Sequence, residues 1–156
     1  MKKLTFLVLA LVSLSAFAQT KSETTKYLSV GYSIGNHVDG KHFDETSYPS
    51  LEYGVTRNNL SLGLAVGRGA TCGIAQTGDN LAQYYYEGRA TQAFPFTKEV
   101  SGNVVLGLGS YFITDNAVFV EYGFGLTRTI GKITYGLTYS NWDKVDYVTP
   151  SLSYSF

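Results

Sequence analysis

The sequence predicts an all-β chain, a transmembrane up-and-down antiparallel β-barrel of eight strands. Three observations predict it. Large apolar residues alternate with small ones along most of the chain beyond residue 26, the period-two pattern of strands with two unlike faces. The face opposite the large apolar residues is nearly all Gly, Ser, Ala and Thr, a poor surface for water but a good lining for a narrow barrel. The chain ends on Phe156, with Tyr154 and Leu152 at the preceding alternate positions, as a membrane strand does when its last aromatic lies in an interfacial girdle.

The elements follow in order. Residues 27–35 set Leu28, Val30, Tyr32 and Ile34 against Ser29, Gly31 and Ser33. Residues 48–56 set Leu51, Tyr53 and Val55 against Ser50, Glu52 and Gly54. In 59–67 the large residues are Leu60, Leu62, Leu64 and Val66. Residues 82–92 are less regular, with Tyr84 and Tyr86 opposite Tyr85, Glu87 and Arg89. The pattern recurs in 102–112 (Val104, Leu106, Leu108), 117–127 (Val118, Val120, Tyr122, Phe124), 132–140 (Ile133, Tyr135, Leu137, Tyr139) and 148–156. Most of these runs have roughly the 9–11 residues that a tilted membrane strand needs, and eight is an even number, as such barrels require.

Residues 1–18 read as a signal peptide. Lys2 and Lys3 precede an apolar stretch, and Ala16-Phe17-Ala18 is a small-x-small cleavage site. Residues 19–26 are a polar periplasmic lead-in, and 27–156 form the barrel. Without Lys2 and Lys3 the chain carries 10 basic and 12 acidic residues, which points away from a nucleic-acid partner. Tyr (13) and Gly (17) are plentiful and Pro (3) scarce, as suits aromatic girdles outside and tight curvature within.

The sign of the alternation separates two kinds of barrel. A soluble barrel turns its bulky face inward and a charged face to water. Here the second face is almost uncharged, so the aliphatic face is the outer one, against lipid. With both termini at the periplasmic end, the outer loops are 36–47, 69–81, 113–116 and 141–146. The inner connections are 57–58, 93–101 and 128–131, of which 93–101 is long for a turn. Aromatics gather at both rims: Tyr48, Tyr84, Phe112, Tyr139, Trp142 and Tyr147 at the outer one, and Tyr27, Phe94, Phe96, Phe124 and Phe156 at the inner one.

Four charged residues fall on the inward face near mid-strand: Glu52, Glu87, Arg89 and Glu121. Buried charge must be paired and hydrogen-bonded, so Arg89 is expected to bridge at least one glutamate. A polar plug is the expected role, because an eight-stranded barrel is just wide enough for side chains to fill. A gate or proton path is the alternative. Tyr85, Tyr111, Phe119 and Tyr147 are expected to lie over interior glycines. Lumen glycines such as Gly63 and Gly123 are expected to tolerate Ser better than Leu62 or Val120 tolerates Arg.

The first outer loop holds His37, Asp39, His42 and Asp44. Their spacing matches no familiar metal-ligand pattern, so they are candidates for surface interaction, and no metal or other cofactor is expected. Cys72 has no partner for an internal disulfide in a chain with one Cys and reads as a free thiol. The glycines of GLAVGRGATCG are followed by no helix, so they serve curvature rather than phosphate binding.

On the signal peptide, the strand number, the alternation and the terminal YVTPSLSYSF, the chain resembles the small eight-stranded outer-membrane barrels of the OmpA transmembrane-domain and OmpX type. The resemblance implies an integral protein of a Gram-negative outer membrane with a structural or surface-interaction role. It implies outer-membrane lipids and the barrel-insertion machinery as partners, an extracellular ligand at the outer loops, and Leu152, Tyr154 and Phe156 as the assembly signal. A lipid-modifying barrel enzyme of the acyltransferase type is the alternative, and a soluble ligand-binding barrel a further one. The lipid A palmitoyltransferase barrel uses an outer-loop His with an Asp-Ser pair. This chain has His37 and His42, but Asp79 is followed by Asn80. The lipid A deacylase barrel needs a His near its last strands, and no His follows residue 42 here.

Overall fold

A computed structural model of the chain describes residues 23–37, 46–69, 83–112, 118–142 and 145–156. Eight antiparallel strands form one closed barrel, each hydrogen-bonded to its neighbours in sequence and the last to the first. They are β1 (Thr25–His37), β2 (Thr46–Arg57), β3 (Leu60–Gly69), β4 (Gln83–Pro95), β5 (Val100–Tyr111), β6 (Val118–Ile130), β7 (Ile133–Trp142) and β8 (Val145–Ser155). Closure leaves no strand edge unpaired, the condition for a sheet in lipid.

The register fixes the size of the barrel. The pairs Tyr27–Gly54, Gly54–Gly63, Gly63–Arg89, Arg89–Gly107, Gly107–Glu121, Glu121–Trp142, Trp142–Val145 and Val145–His37 form one circuit. A path that leaves β1 at Tyr27 thus returns to it at His37, ten residues on. Eight strands with that stagger tilt by about 40° and enclose a radius of about 8 Å, taken to the backbone. So narrow a lumen is the scale of a few side chains.

Sequence phase and burial agree. In β6 residues Val118 to Glu121 run exposed, buried, exposed, buried, and the same period holds around the barrel. Leu64, Leu108, Val120 and Phe124 are exposed on the outer face, while Ala65, Tyr85, Glu87, Phe119 and Glu121 are buried within. Leu60 departs from its outward set; it is buried at the turn end, flanked in register by Arg57 and Gln92.

The turns explain the strand boundaries. Asn58 and Asn59 link β2 to β3 with φ of 49° and 65°, the left-handed pair that a two-residue hairpin needs and that Asn tolerates. Gly131, at φ 61°, does the same between β6 and β7. The long connection expected at 93–101 is only 96–99, because pairing continues to Phe94–Gly102 and Pro95–Ser101. Thr97 closes this turn by accepting from the Glu99 and Val100 N–H groups at 3.2 and 2.9 Å. β1 starts at Thr25, inside the expected lead-in. The loop-end connections become 38–45, 70–82, 112–117 and 143–144. Pairing of β1 with β8 passes from Gly31–Ser151 to Ile34–Val148, lapsing beside Pro150, which has no N–H to give.

The left-handed hairpin generates a test. Asn59→Val should destabilise the barrel by about 1–2 kcal/mol, the cost of forcing a side chain with a branched Cβ into that conformation, whereas Asn59→Gly should be neutral or slightly stabilising. Urea unfolding of the refolded barrel in lipid vesicles measures both.

Candidate functional site

The four inward charges converge on Arg89. Its Nε donates to Glu121 Oε2 at 2.9 Å, its Nη1 to Glu52 Oε2 at 2.9 Å and its Nη2 to Glu87 Oε2 at 3.0 Å. One guanidinium thus holds carboxylates from β2, β4 and β6, a geometry that the planar fork of Arg permits and Lys does not. Tyr27, from β1, donates its hydroxyl to Glu52 Oε1. The side chains of Glu87 and Glu121 are 1% and 6% exposed, those of Glu52 and Arg89 12% and 19%.

Glycines make room for this cluster. Arg89 is flanked in register by Gly63 on β3 and Gly107 on β5. A Cβ on Gly107 would run into the Glu87 carboxylate, and one on Gly63 into the Glu52 carboxylate and the Tyr27 hydroxyl. Gly123 is equally closed, against the Tyr139 carbonyl and Ser140. The space above these glycines is already taken, so even a small side chain there overpacks the lumen.

Towards the loop end five rings pack together from five successive strands. Tyr85 meets Phe119 at 5.7 Å and Trp142 at 4.8 Å between centroids, Tyr111 meets Phe119 at 5.1 Å, and Trp142 meets Tyr147 at 4.5 Å. All five are buried. Tyr85 covers Gly67 and Phe119 covers Gly109, as the sequence led us to expect. Tyr147 points inward, as its phase predicts, and is 1% exposed; Trp142 and Tyr27, expected in the rim girdles, also point into the lumen, being 4% and 9% exposed. Their position in the alternation carried that information, since Trp142 is in phase with Thr138 and Ser140, and Tyr27 with Ser29.

Towards the turn end the lumen opens into a cavity of about 290 Å³, roofed by Glu52, Arg89 and Glu121 and walled chiefly by Ser and Thr. Its hydroxyls bond across strands: Ser153 donates to Ser29 at 2.8 Å, and Thr56 and Ser61 are 2.7 Å apart. Nothing in the alternation showed where small inward residues would leave space and where large ones would fill it.

The remaining assigned residues do not join this cluster. His37 ends β1, paired with Val145, and so belongs to a strand and not to the loop expected to carry it; the stagger of ten extends β1 beyond its visible alternation. Asp39, His42, Asp44, Cys72 and Asp79 lie outside the described residues. Leu152, Tyr154 and Phe156 line the outer face of β8 and the residue after it, each about half exposed. Among the described residues no group of His, Cys, Asp and Glu is arranged to hold a metal ion.

Four substitutions test the cluster. Arg89→Ala strands three carboxylates and should cost about 3–5 kcal/mol, the usual result of breaking one side of a buried pair. Glu52 and Glu121 face the cavity, where water can reach them, and Glu87 does not, so Glu87→Gln should restore most of the loss. Gly107→Ala should cost about 1–3 kcal/mol by overpacking, while Gly88→Ala, where a new Cβ meets only the Leu108 carbonyl at 3.9 Å, should change little. The single Trp of the chain, Trp142, lies in the ring cluster and reports unfolding by fluorescence.

No protein-family model matches the chain, and comparison with curated proteins finds no match. Solved structures do match. Ail, the attachment invasion locus protein of Yersinia pestis, is 21% identical over 86% of this chain and 99% of its own, with a TM-score of 0.55. Ail in complex with the heparin analogue sucrose octasulfate gives 18% identity over 88% and 100%, with a TM-score of 0.50. Neisserial surface protein A is 11% identical over 88% and 100%, with a TM-score of 0.53. A de novo designed transmembrane β-barrel is 18% identical over 88% and 98%, with a TM-score of 0.58. At these identities the likeness is one of fold, and the fold is that of the small eight-stranded outer-membrane barrels.

Proposed function

We propose that this chain is an integral outer-membrane β-barrel with a side-chain-filled lumen and a structural or surface-interaction role, and that it is not an enzyme. The observation that carries the reading is the inversion of the two faces. Between the rims the outward positions are mostly Leu, Val, Ile, Tyr and Phe with no charged residue, for example Leu28 to Ile34, Leu64 and Val66, and Val118 to Leu126. The charges are inside, bound to one another. Such an exterior is unfavourable in water and favourable in a bilayer.

The filled lumen is supported by the five-ring cluster and the Arg89 network, stacked one above the other within a radius of about 8 Å. Residues 1–18 act in this reading as the export signal, and Leu152, Tyr154 and Phe156 as the segment read by the insertion machinery. Recognition falls to the loop end. Ail, which shares the fold, has been solved with a sulfated sugar bound, and the loops here carry His42, Asp39 and Asp44 beyond the end of β1.

Fractionation and electrophysiology test the reading together. The protein should be found with the outer membrane, change its gel mobility on boiling and give no large, steady channels in planar bilayers. Val120→Arg, outward and near mid-strand, should lower stability in the bilayer by about 2–4 kcal/mol. Recovery in a soluble fraction would contradict the membrane assignment, and steady wild-type channels would contradict the filled lumen and make the Arg89 cluster a gate.

A further inference from the structure

The charges outside the lumen are distributed unequally between the two ends. At the turn end Lys26, Arg57, Lys98, Arg128 and Lys132 stand against Glu23 and Glu99. At the loop end the sequence is acidic, with Asp39, Asp44, Glu45, Asp79, Asp115, Asp143 and Asp146 against Lys41, Arg68 and Lys144.

Two of the turn-end cations sit beside outward aromatic rings. Lys26 and Phe156 are opposite one another across β1 and the end of β8, the Phe156 N–H donating to the Lys26 carbonyl at 2.9 Å. The Lys132 ammonium lies 5.9 Å from the centre of the Tyr154 ring. Tyr154 and Phe156 stack at 6.4 Å, and Phe156 meets Tyr53 of β2 at 6.5 Å. The result is an outward strip of three rings, Tyr154, Phe156 and Tyr53, edged on its turn side by two lysines. Arg128 is already engaged with Glu99 at 3.1 Å and is not needed for the strip.

We infer that this strip binds anionic phospholipid, the phosphate and headgroup charge meeting Lys26 and Lys132 and the upper acyl chain lying on the rings. The inference rests on the membrane reading above and adds to it a headgroup charge, a leaflet and a place on the barrel. Depth is the deciding argument. Aromatic rings mark the level where hydrocarbon gives way to headgroups, and lysines just beyond them reach that level with their stems along apolar surface. A soluble acidic partner would have no use for rings turned towards hydrocarbon; an anionic amphiphile uses both parts.

The test is lipid selectivity in phosphatidylcholine bilayers, read by electron paramagnetic resonance as the immobilised fraction of spin-labelled phosphatidylglycerol against spin-labelled phosphatidylcholine. A juxtamembrane Lys contributes roughly fivefold in affinity for an anionic surface, so the wild-type barrel, with two, should favour phosphatidylglycerol by up to about 25-fold. The Lys26→Gln/Lys132→Gln variant should lose the preference, and Arg68→Gln, at the loop end, should keep it. If the double variant does not refold, Lys132→Gln alone decides the same point, with about 1 M salt abolishing the wild-type preference by screening. Equal immobilisation of both lipids by the wild type, or an unchanged preference in the lysine variants, overturns the inference and leaves the membrane reading intact. Immobilisation of neither lipid overturns the membrane reading itself.

Discussion

Closure of eight strands with a stagger of ten residues sets the space on which the rest of the structure depends. A backbone radius of about 8 Å leaves no room for a large side chain on every inward position, so several large residues lie beside glycines. Gly63 and Gly107 on either side of Arg89, Gly67 beneath Tyr85 and Gly109 beneath Phe119 are the outcome. Arg89, Tyr85 and Phe119 are each accommodated by a neighbour that has no side chain. The small residues of the second face are thus complements of particular side chains, and a substitution there is a packing change and not a neutral surface edit.

The same confinement governs the charges. Three carboxylates and one guanidinium in a narrow interior are costly to desolvate, and the arrangement offsets this by giving every nitrogen of Arg89 a carboxylate oxygen. Tyr27 adds a neutral donor to Glu52. The network joins β1, β2, β4 and β6, strands that are not all neighbours, so it braces the lumen across its width while the backbone ladder holds the wall. The ring cluster braces β4 to β8 in the same way nearer the loops.

Much of this was legible in the sequence because period two is a strong signal when one face is large and the other small. Strand number, the inward set and the four charges followed from phase alone. The reach of Arg89 did not: phase places Glu52, Glu87 and Glu121 inside, but only the stagger brings strands β2 and β6 to the same level as β4. Trp142 and Tyr27 were misplaced because aromatic residues near strand ends suggest a girdle, although their phase pointed inward. The turn at 96–99 was hidden because Phe94-Pro95-Phe96 resembles a loop, while Pro95 tolerates its position beside a tight connection and the ladder continues to it.

Whether the large-residue face meets lipid is the claim on which the functional reading stands, and scanning β6 with single spin-labelled cysteines in a bilayer, on a Cys72→Ser background, tests it most directly. The account predicts that labels at Val118, Val120, Tyr122 and Phe124 are accessible to oxygen dissolved in the hydrocarbon. Labels at Thr127 and Thr129, whose side chains line the cavity, should be shielded from it, while one at Leu126, next to Thr127, should be accessible. The opposite phase, or accessibility to an aqueous nickel reagent along the large-residue face, would contradict it.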